Sequence, residues 1–134
     1  HLIDYVHESA KKDYENIASK YWPGALTIVI PASEKQTLNL TSNDLTIGLR
    51  IPNSYMAHSL LRETGPLLTS SANISGFKGS MTANGIALDF PSLKILGPIP
   101  WEKSSGKAST IISWKKSGDW RIIREGEVFV RELH

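Results

Sequence analysis

The chain reads as an α/β or α+β domain built on a mixed sheet, and three observations predict it. Helical periodicity opens the chain, β-rich apolar runs bounded by Pro and Gly follow, and two such runs near the C-terminus flank a turn signal. At 134 residues the chain is long enough for one domain and too short for two, and it contains no internal repeat or linker.

Taken in order, the apolar residues Ala10, Tyr14, Ile17, Ala18 and Tyr21 recur at helical spacing and predict a helix over Asp4 to Tyr21. Trp22-Pro23-Gly24 ends it, because proline cannot continue a helix and glycine permits a sharp exit. Leu26 to Ile30 is nearly all apolar and β-rich, which predicts a buried strand stopped by Pro31. Ser42-Asn43-Asp44 signals a turn into a second strand, Leu45 to Ile51, closed by Pro52. Asn53 or Ser54 can cap a short helix carrying Met56, Leu60 and Leu61 that ends at Gly65-Pro66. Leu67 to Thr69 predicts a short buried strand, running into the polar loop Ser70 to Gly76. Thr82 caps a brief helix through Leu88, and Leu93 to Leu96 is a further candidate strand before a Gly/Pro/Ser-rich stretch to Lys107. Ser109 to Trp114 and Trp120 to Arg124, flanking Lys116-Ser117-Gly118-Asp119, predict a hairpin.

Composition bounds the chemistry. Hydrophobic residues make up 40% and charged residues 21%, near globular averages. No apolar run reaches the roughly 18 residues of a membrane-spanning helix. With no cysteine, disulfides, thiolate metal sites and a thiol nucleophile are excluded, and the four histidines lack metal-ligand spacing. The 15 basic residues against 13 acidic ones leave a net charge of +2, with the surplus in the last third, at Lys103, Lys107, Lys115, Lys116, Arg121, Arg124 and Arg131. An anionic ligand or RNA fits that surplus, and so does a solvated face. HExxH, GxGxxG and P-loop motifs are absent. His58 sits among apolar residues and reads as structural rather than as a base, and the four Trp residues read as packing residues.

Polar residues at strand ends are more informative. Arg50 stands in an otherwise apolar strand, where an unpaired guanidinium is costly, so it needs a carboxylate or phosphate partner, internal or from a ligand. Ser71 and Asn73 follow an expected strand, the position of ligand loops in open α/β sheets, or else form a simple turn. Ser109 and Thr110 begin a strand and Arg124 ends one, either as part of a shared anion site or as solvated ends.

Five segments, Trp22 to Thr27, Thr46 to Pro52, Gly65 to Gly76, Lys107 to Ile112 and Ile122 to Gly126, together resemble the YrdC/TsaC family of threonylcarbamoyl-AMP synthases. Trp22-Pro23-Gly24-Ala25-Leu26-Thr27 is similar to the family's WPGPLT, and Thr46 to Pro52 to its TxxxRxP strand. Gly65-Pro66-Leu67 with Thr69 to Gly76 is similar to its GP(L/I)…SANxSG signature, Lys107 to Ile112 to xxSTVV, and Ile122 to Gly126 to xILRxG. The resemblance implies a YrdC-like twisted sheet of mixed parallel and antiparallel strands, flanked by helices, as a single domain over 1–134. It implies synthesis of threonylcarbamoyl-AMP from L-threonine, bicarbonate or CO2 and ATP, with Mg2+ assisting and pyrophosphate released. A downstream transferase complex would pass the threonylcarbamoyl group to tRNA, and some members bind RNA. By motif, Arg50 would pair with the threonine carboxylate and Ser109 would touch the threonine side of the product. Thr46, Thr69, Ser71, Asn73, Ser80 and Arg124 would hold the nucleotide. The cytoplasm is the implied location, and no metal-ligating residue is implied.

Departures from the family pattern qualify that expectation. The upstream PTxTxYGL and KxRxxxxP segments are absent, Ser113 stands where an acid is usual after STVV, and Gly97-Pro98 replaces a DGG. The chain is therefore read as the C-terminal larger part of the domain, expected to be nearly inactive by itself for want of two phosphate-directed cations. Two other readings compete: a double-stranded RNA or tRNA-binding module without catalysis, which uses the basic last third, and the carbamoyl-adenylate-forming domain of a hydrogenase-maturation protein.

Overall fold

Two 3-10 turns, Leu2–Tyr5 and Glu8–Ala10, precede helix α1, Lys11–Tyr21, in a computed structural model that describes residues 1–37, 45–101, 103 and 105–133. The helix therefore starts later than Asp4, where the apolar spacing placed it. The cause is Val6, which is extended and bridges Ala32, while the His7 N–H donates to the Pro31 carbonyl at 2.9 Å. That backbone is committed to the end of a strand and cannot close helical turns. At the other end of α1 the Trp22 N–H makes the last helical bond, to Ala18. A Cβ on Gly24 would lie 2.3 Å from the Tyr21 carbonyl oxygen, so only glycine fits this exit.

Strand β1, Leu26–Pro31, alternates between fully buried and half-buried residues. Leu26, Ile28 and Ile30 are 0% exposed, whereas Thr27 and Val29 face the other side of the sheet. The expectation of a strand buried throughout is thus corrected to one buried on a single face. A short helix α2, Glu34–Thr37, follows. The expected Ser42-Asn43-Asp44 turn lies outside the described residues. Strand β2, Thr46–Leu49, is shorter than the sequence suggested and stops before Arg50. Helix α3, Tyr55–Thr64, has the expected cap: the Ser54 hydroxyl accepts the Ala57 N–H, and Gly65 ends it with φ 74°. The His58 Nε2–H donates to the Pro52 carbonyl at 2.6 Å, the structural role its apolar surroundings suggested.

After helix α4, Ala83–Asp89, the hairpin forms as expected from β3, Thr110–Lys116, and β4, Asp119–Arg124, with Gly118 at φ 73° in the turn. A last 3-10 turn covers Arg131–Leu133. The described strands form one mixed sheet in the order β2-β1-β3-β4. Strand β1 is antiparallel to β2 (Ile28 opposite Leu49, Val29 opposite Gly48) and parallel to β3 (Thr27 opposite Ile111, Ile28 opposite Ile112). Strands β3 and β4 are antiparallel, with a bulge that sets Ile112 opposite Ile122 and Ile111 opposite Arg124.

This register puts Leu26, Ile28, Ile30, Leu49 and Ile112 on one face, where Val6, Ala10, Tyr14, Ile17 and Val130 complete the core. Trp22, Trp114 and Trp120 pack against it as expected, Tyr14 meeting Trp22 edge to face at 5.7 Å. A polar tie fixes helix to hairpin: Asp13 Oδ2 accepts the Trp114 indole N–H at 2.8 Å and the Gly118 N–H at 2.9 Å.

The chain packs as two compact units, one formed by His1–Pro66 with Ala108–His134 and the other by Leu67–Lys107. In the second unit α4 is capped as expected, the Thr82 hydroxyl accepting the Gly85 N–H. Its two expected strands are not strands. Leu67 to Thr69 has no ladder partner among the described residues, and Leu68 is 98% exposed. Leu93 donates its N–H to Phe90 in a turn after α4, and Leu96 accepts the Trp101 indole N–H. Short apolar runs carry no period that separates a strand from an irregular segment, and without a ladder neither run can be extended sheet.

Candidate functional site

Strand alternation sorts the polar residues of the first unit. Opposite the core, the sheet carries Thr46 and Gly48 on β2, Thr27 and Val29 on β1, Ile111 and Ser113 on β3, and Arg121 and Arg124 on β4. Three of the residues singled out by sequence, Thr46, Ser109 and Arg124, thus stand on or at the edge of one face, with Arg50 one residue beyond β2. Gly48 keeps the floor of this face low: a Cβ there would only touch the methyls of Thr27 and Val29, at 3.7 and 3.9 Å.

Arg124 is exposed yet tightly tethered. Its Nε and Nη2 donate to the Ser109 carbonyl at 3.0 and 2.8 Å, and Nη2 also donates to the Ser109 hydroxyl at 3.1 Å. Ser109 and Arg124, assigned by motif to the threonine and to the nucleotide, are bonded directly to each other. Ser109 in turn exchanges a hydrogen bond with Thr27 Oγ1 at 3.1 Å, a residue the sequence reading passed over. Alternation along β1 was the signal that would have exposed it, since Thr27 lies out of phase with Leu26, Ile28 and Ile30. Gly126 lets the chain close onto this unit: its Cβ would lie 2.4 Å from the Ala108 carbonyl oxygen and the Thr110 nitrogen.

Arg50 is exposed, which corrects the argument that burial in an apolar strand obliges it to have a carboxylate or phosphate partner, internal or from a ligand. Its Nε donates to the Gly24 carbonyl at 3.0 Å, while the Gly24 N–H donates to the Ile51 carbonyl at 2.8 Å. The Trp-Pro-Gly turn therefore holds the stem of Arg50. Among the described residues neither terminal nitrogen of Arg50 has a partner, and nor does Nη1 of Arg124. Both guanidinium groups are thus anchored through Nε to a backbone carbonyl and keep N–H groups unengaged. Such forks match carboxylate and phosphate oxygens. Within this face the arrangement supplies hydrogen-bond donors, hydroxyls and positive charge.

The other four expected site residues belong to the second unit. Thr69 and Ser71 are exposed. Asn73 is half-buried and spends its amide on its own loop, donating to the Ile74 and Phe77 carbonyls at 3.2 Å each, with Gly76 at φ 82° between them. Ser80 is half-buried over the first turn of α4, where its hydroxyl accepts the Thr82 N–H at 3.4 Å. Ser71 directly follows no strand, so the strand-end argument for the loop does not hold. Its support is the motif.

A family model named for Sua5, YciO and YrdC, and described as telomere recombination, matches residues 1–126. The chain belongs to this family. A Mycobacterium leprae relative is 31% identical over 133 residues, covering 99% of the chain and 60% of that protein. The threonylcarbamoyl-AMP synthase of Bacillus subtilis is 30% identical over 107 residues, covering 78% of the chain and 31% of the enzyme. Among solved structures, a double-alanine variant of Pyrococcus abyssi Sua5 superposes with a TM-score of 0.82 at 27% identity, over 98% of this chain and 40% of that one. Pyrococcus abyssi Sua5 complexed with L-threonine gives 0.73 at 28% identity, over 93% and 37%. The chain thus spans less than two thirds of the relatives it matches. The mixed sheet of this family member is the one its motifs implied. Among its described residues no helix is long and apolar enough to cross a membrane.

Proposed function

We propose that this chain is the YrdC-like domain, over 1–134, of an L-threonylcarbamoyladenylate synthase. The observation that carries the reading is the pair of tethered guanidinium groups, Arg50 on Gly24 and Arg124 on Ser109, on a sheet whose family relatives include enzymes of that name. L-Threonine, bicarbonate or CO2, and ATP are the substrates. The amine of threonine captures CO2, the carbamate oxygen attacks the α-phosphorus, and pyrophosphate leaves with its electron pair. This chemistry needs aligned reactants and neutralised charge more than a covalent nucleophile, and the face supplies anchored cations and hydroxyls.

Arg50 receives the threonine carboxylate as a two-pronged, charge-assisted contact, and Ser109 lies on the threonine side. Arg124, Thr46, Thr69, Ser71, Asn73 and Ser80 hold the nucleotide. Mg2+ enters as the counter-ion of the triphosphate and therefore as part of the substrate, because guanidinium and hydroxyl groups make a poor cage for a hard cation. The product passes to a threonylcarbamoyl-transferase complex acting on tRNA, in the cytoplasm.

Titration calorimetry with MgATP and L-threonine, separately and together, tests the reading. Arg50→Ala is expected to weaken L-threonine by roughly tenfold to a hundredfold, the worth of a hydrogen-bonded charge, and Ser71→Ala to weaken ATP. A folded chain that binds both ligands unchanged in these variants refutes it. Salt-dependent RNA binding indifferent to Arg50→Ala would favour the RNA-binding reading instead.

A further inference from the structure

Thr27 and Ser109 are 82 residues apart in the chain, and their hydroxyl oxygens lie 3.1 Å apart across the parallel β1–β3 seam. Each hydroxyl carries one hydrogen and two lone pairs. Arg124 Nη2 donates to one lone pair of Ser109 Oγ, and the Thr27–Ser109 bond uses one of the two hydroxyl hydrogens. One hydroxyl hydrogen is left over in either direction of that bond. That hydrogen and the unengaged Nη1 of Arg124 leave the trio with donors for an anionic oxygen, beside the lone pairs the two hydroxyls still hold. The Arg124–Ser109 bonds tie a group assigned to the threonine side to one assigned to the nucleotide side, and Thr27 holds the Ser109 end of that tie.

We propose that Thr27 is a positioning residue: its hydroxyl locks Ser109 and Arg124 into one unit, so that binding of L-threonine and binding of ATP each order the group the other needs. This rests on the synthase reading. The mutual enhancement of the two ligands then runs in part through Thr27, because a first ligand that fixes the trio removes that ordering cost from the second. A structural role for the same residue is a different claim. Thr27 is a β-branched strand residue, and a purely structural Thr27 is served equally well by valine, which keeps the shape and the strand preference and loses only the hydroxyl.

The test compares Thr27→Val and Thr27→Ser, with Ser109→Ala and the Thr27→Val/Ser109→Ala double variant, by calorimetry with MgATP and L-threonine alone and combined. A net hydrogen bond between neutral groups predicts a roughly three- to tenfold loss of affinity for each ligand in Thr27→Val, with a smaller mutual enhancement. Thr27→Ser is expected to stay within about twofold of wild type, and Thr27→Val to add nothing in the Ser109→Ala background. Hydrogen exchange of the Arg124 Nε–H, followed by NMR without ligand, is expected to quicken in Thr27→Val and not in Thr27→Ser. Wild-type affinity and enhancement in Thr27→Val overturn the proposal while the synthase reading stands. Quickened Arg124 exchange in Thr27→Val, with both ligands bound unchanged in Arg50→Ala and Ser71→Ala, overturns the synthase reading and keeps the hold of Thr27 on Arg124. Should Thr27→Val fail to fold, Thr27→Ala against Thr27→Ser gives the same comparison, and equal behaviour of those two overturns the proposal.

Discussion

Replacing Asp13 with alanine is expected to loosen helix α1 from the β3–β4 hairpin. One carboxylate oxygen accepts both the Trp114 indole N–H and the Gly118 N–H, at 2.8 and 2.9 Å. Hydrogen bonds to a charged group contribute about 1.5–3 kcal/mol each, but the two do not count alike. Gly118 is exposed at the turn, so water replaces its partner, whereas Trp114 is half-buried against the core and its N–H is left short of one. Counting the Trp114 bond and little for Gly118 gives about 2 kcal/mol, or roughly 5–10 °C in Tm for a chain of this length.

The same contact carries a pH signature. The Trp114 bond, then the Gly118 bond, with help from the charge of Lys12, hold the Asp13 carboxyl below its usual range against a small opposing effect of burial. A carboxyl with a lowered folded pKa stabilises the fold fully above its unfolded value of about 3.9 and loses that contribution as pH falls through the folded value. The gap between wild type and Asp13→Ala should therefore be constant near neutrality and close in acid. Urea unfolding followed by tryptophan fluorescence over a pH series measures it. Equal midpoints for the two proteins near neutrality, or a gap that persists in strong acid, would refute the reasoning.

Three further outcomes are expected. Gly126→Ala drives a Cβ to within 2.4–2.5 Å of backbone atoms of Ala108, Ser109 and Thr110, and should cost about 1–3 kcal/mol in thermal melts while also weakening ligands at Ser109. Tyr14, pushed up to about 12 by burial with a smaller push from Glu15, favours its neutral form in the fold. Its contribution to stability holds below about pH 10 and is lost as pH rises through the folded value, so absorbance should show one of the four tyrosines ionising late. Arg124→Lys cannot reproduce the two-nitrogen hold on the Ser109 carbonyl, and nucleotide affinity should fall by roughly tenfold with little change in melting temperature.

Local chemistry was legible where a residue's task is local. Ser54 and Thr82 cap helices because a short hydroxyl side chain meets an orphan N–H a few residues on, and Gly118 turns the hairpin because only its own φ is at issue. The failures came where a partner decides. Leu67 to Thr69 and Leu93 to Leu96 have the apolar content of strands but pair with no neighbour among the described residues. Val6 left its helix because Ala32 claimed its backbone. Arg50 looked buried among apolar neighbours, yet β2 ends one residue earlier and the side chain emerges over the Gly24 carbonyl. Of the candidate site, Ser109 and Arg124 were visible as motif residues, but not their direct bond, since nothing in the sequence states which strand lies next to which. Thr27 was hidden by reading β1 as an unbroken apolar run.

The parallel pairing of β1 with β3 also bears on how the molecule is made. As the chain leaves the ribosome, β1 can pair with β2 at once, but its other edge stays open until residues 110–116 emerge, after the whole Leu67–Lys107 unit. Closing so long a loop costs entropy before the pairing returns any stability, which slows folding and leaves a sticky edge in the meantime. Ser109 and Arg124 arrive with that final hairpin and meet Thr27 only then. The Thr27–Ser109–Arg124 unit is therefore among the last features to assemble.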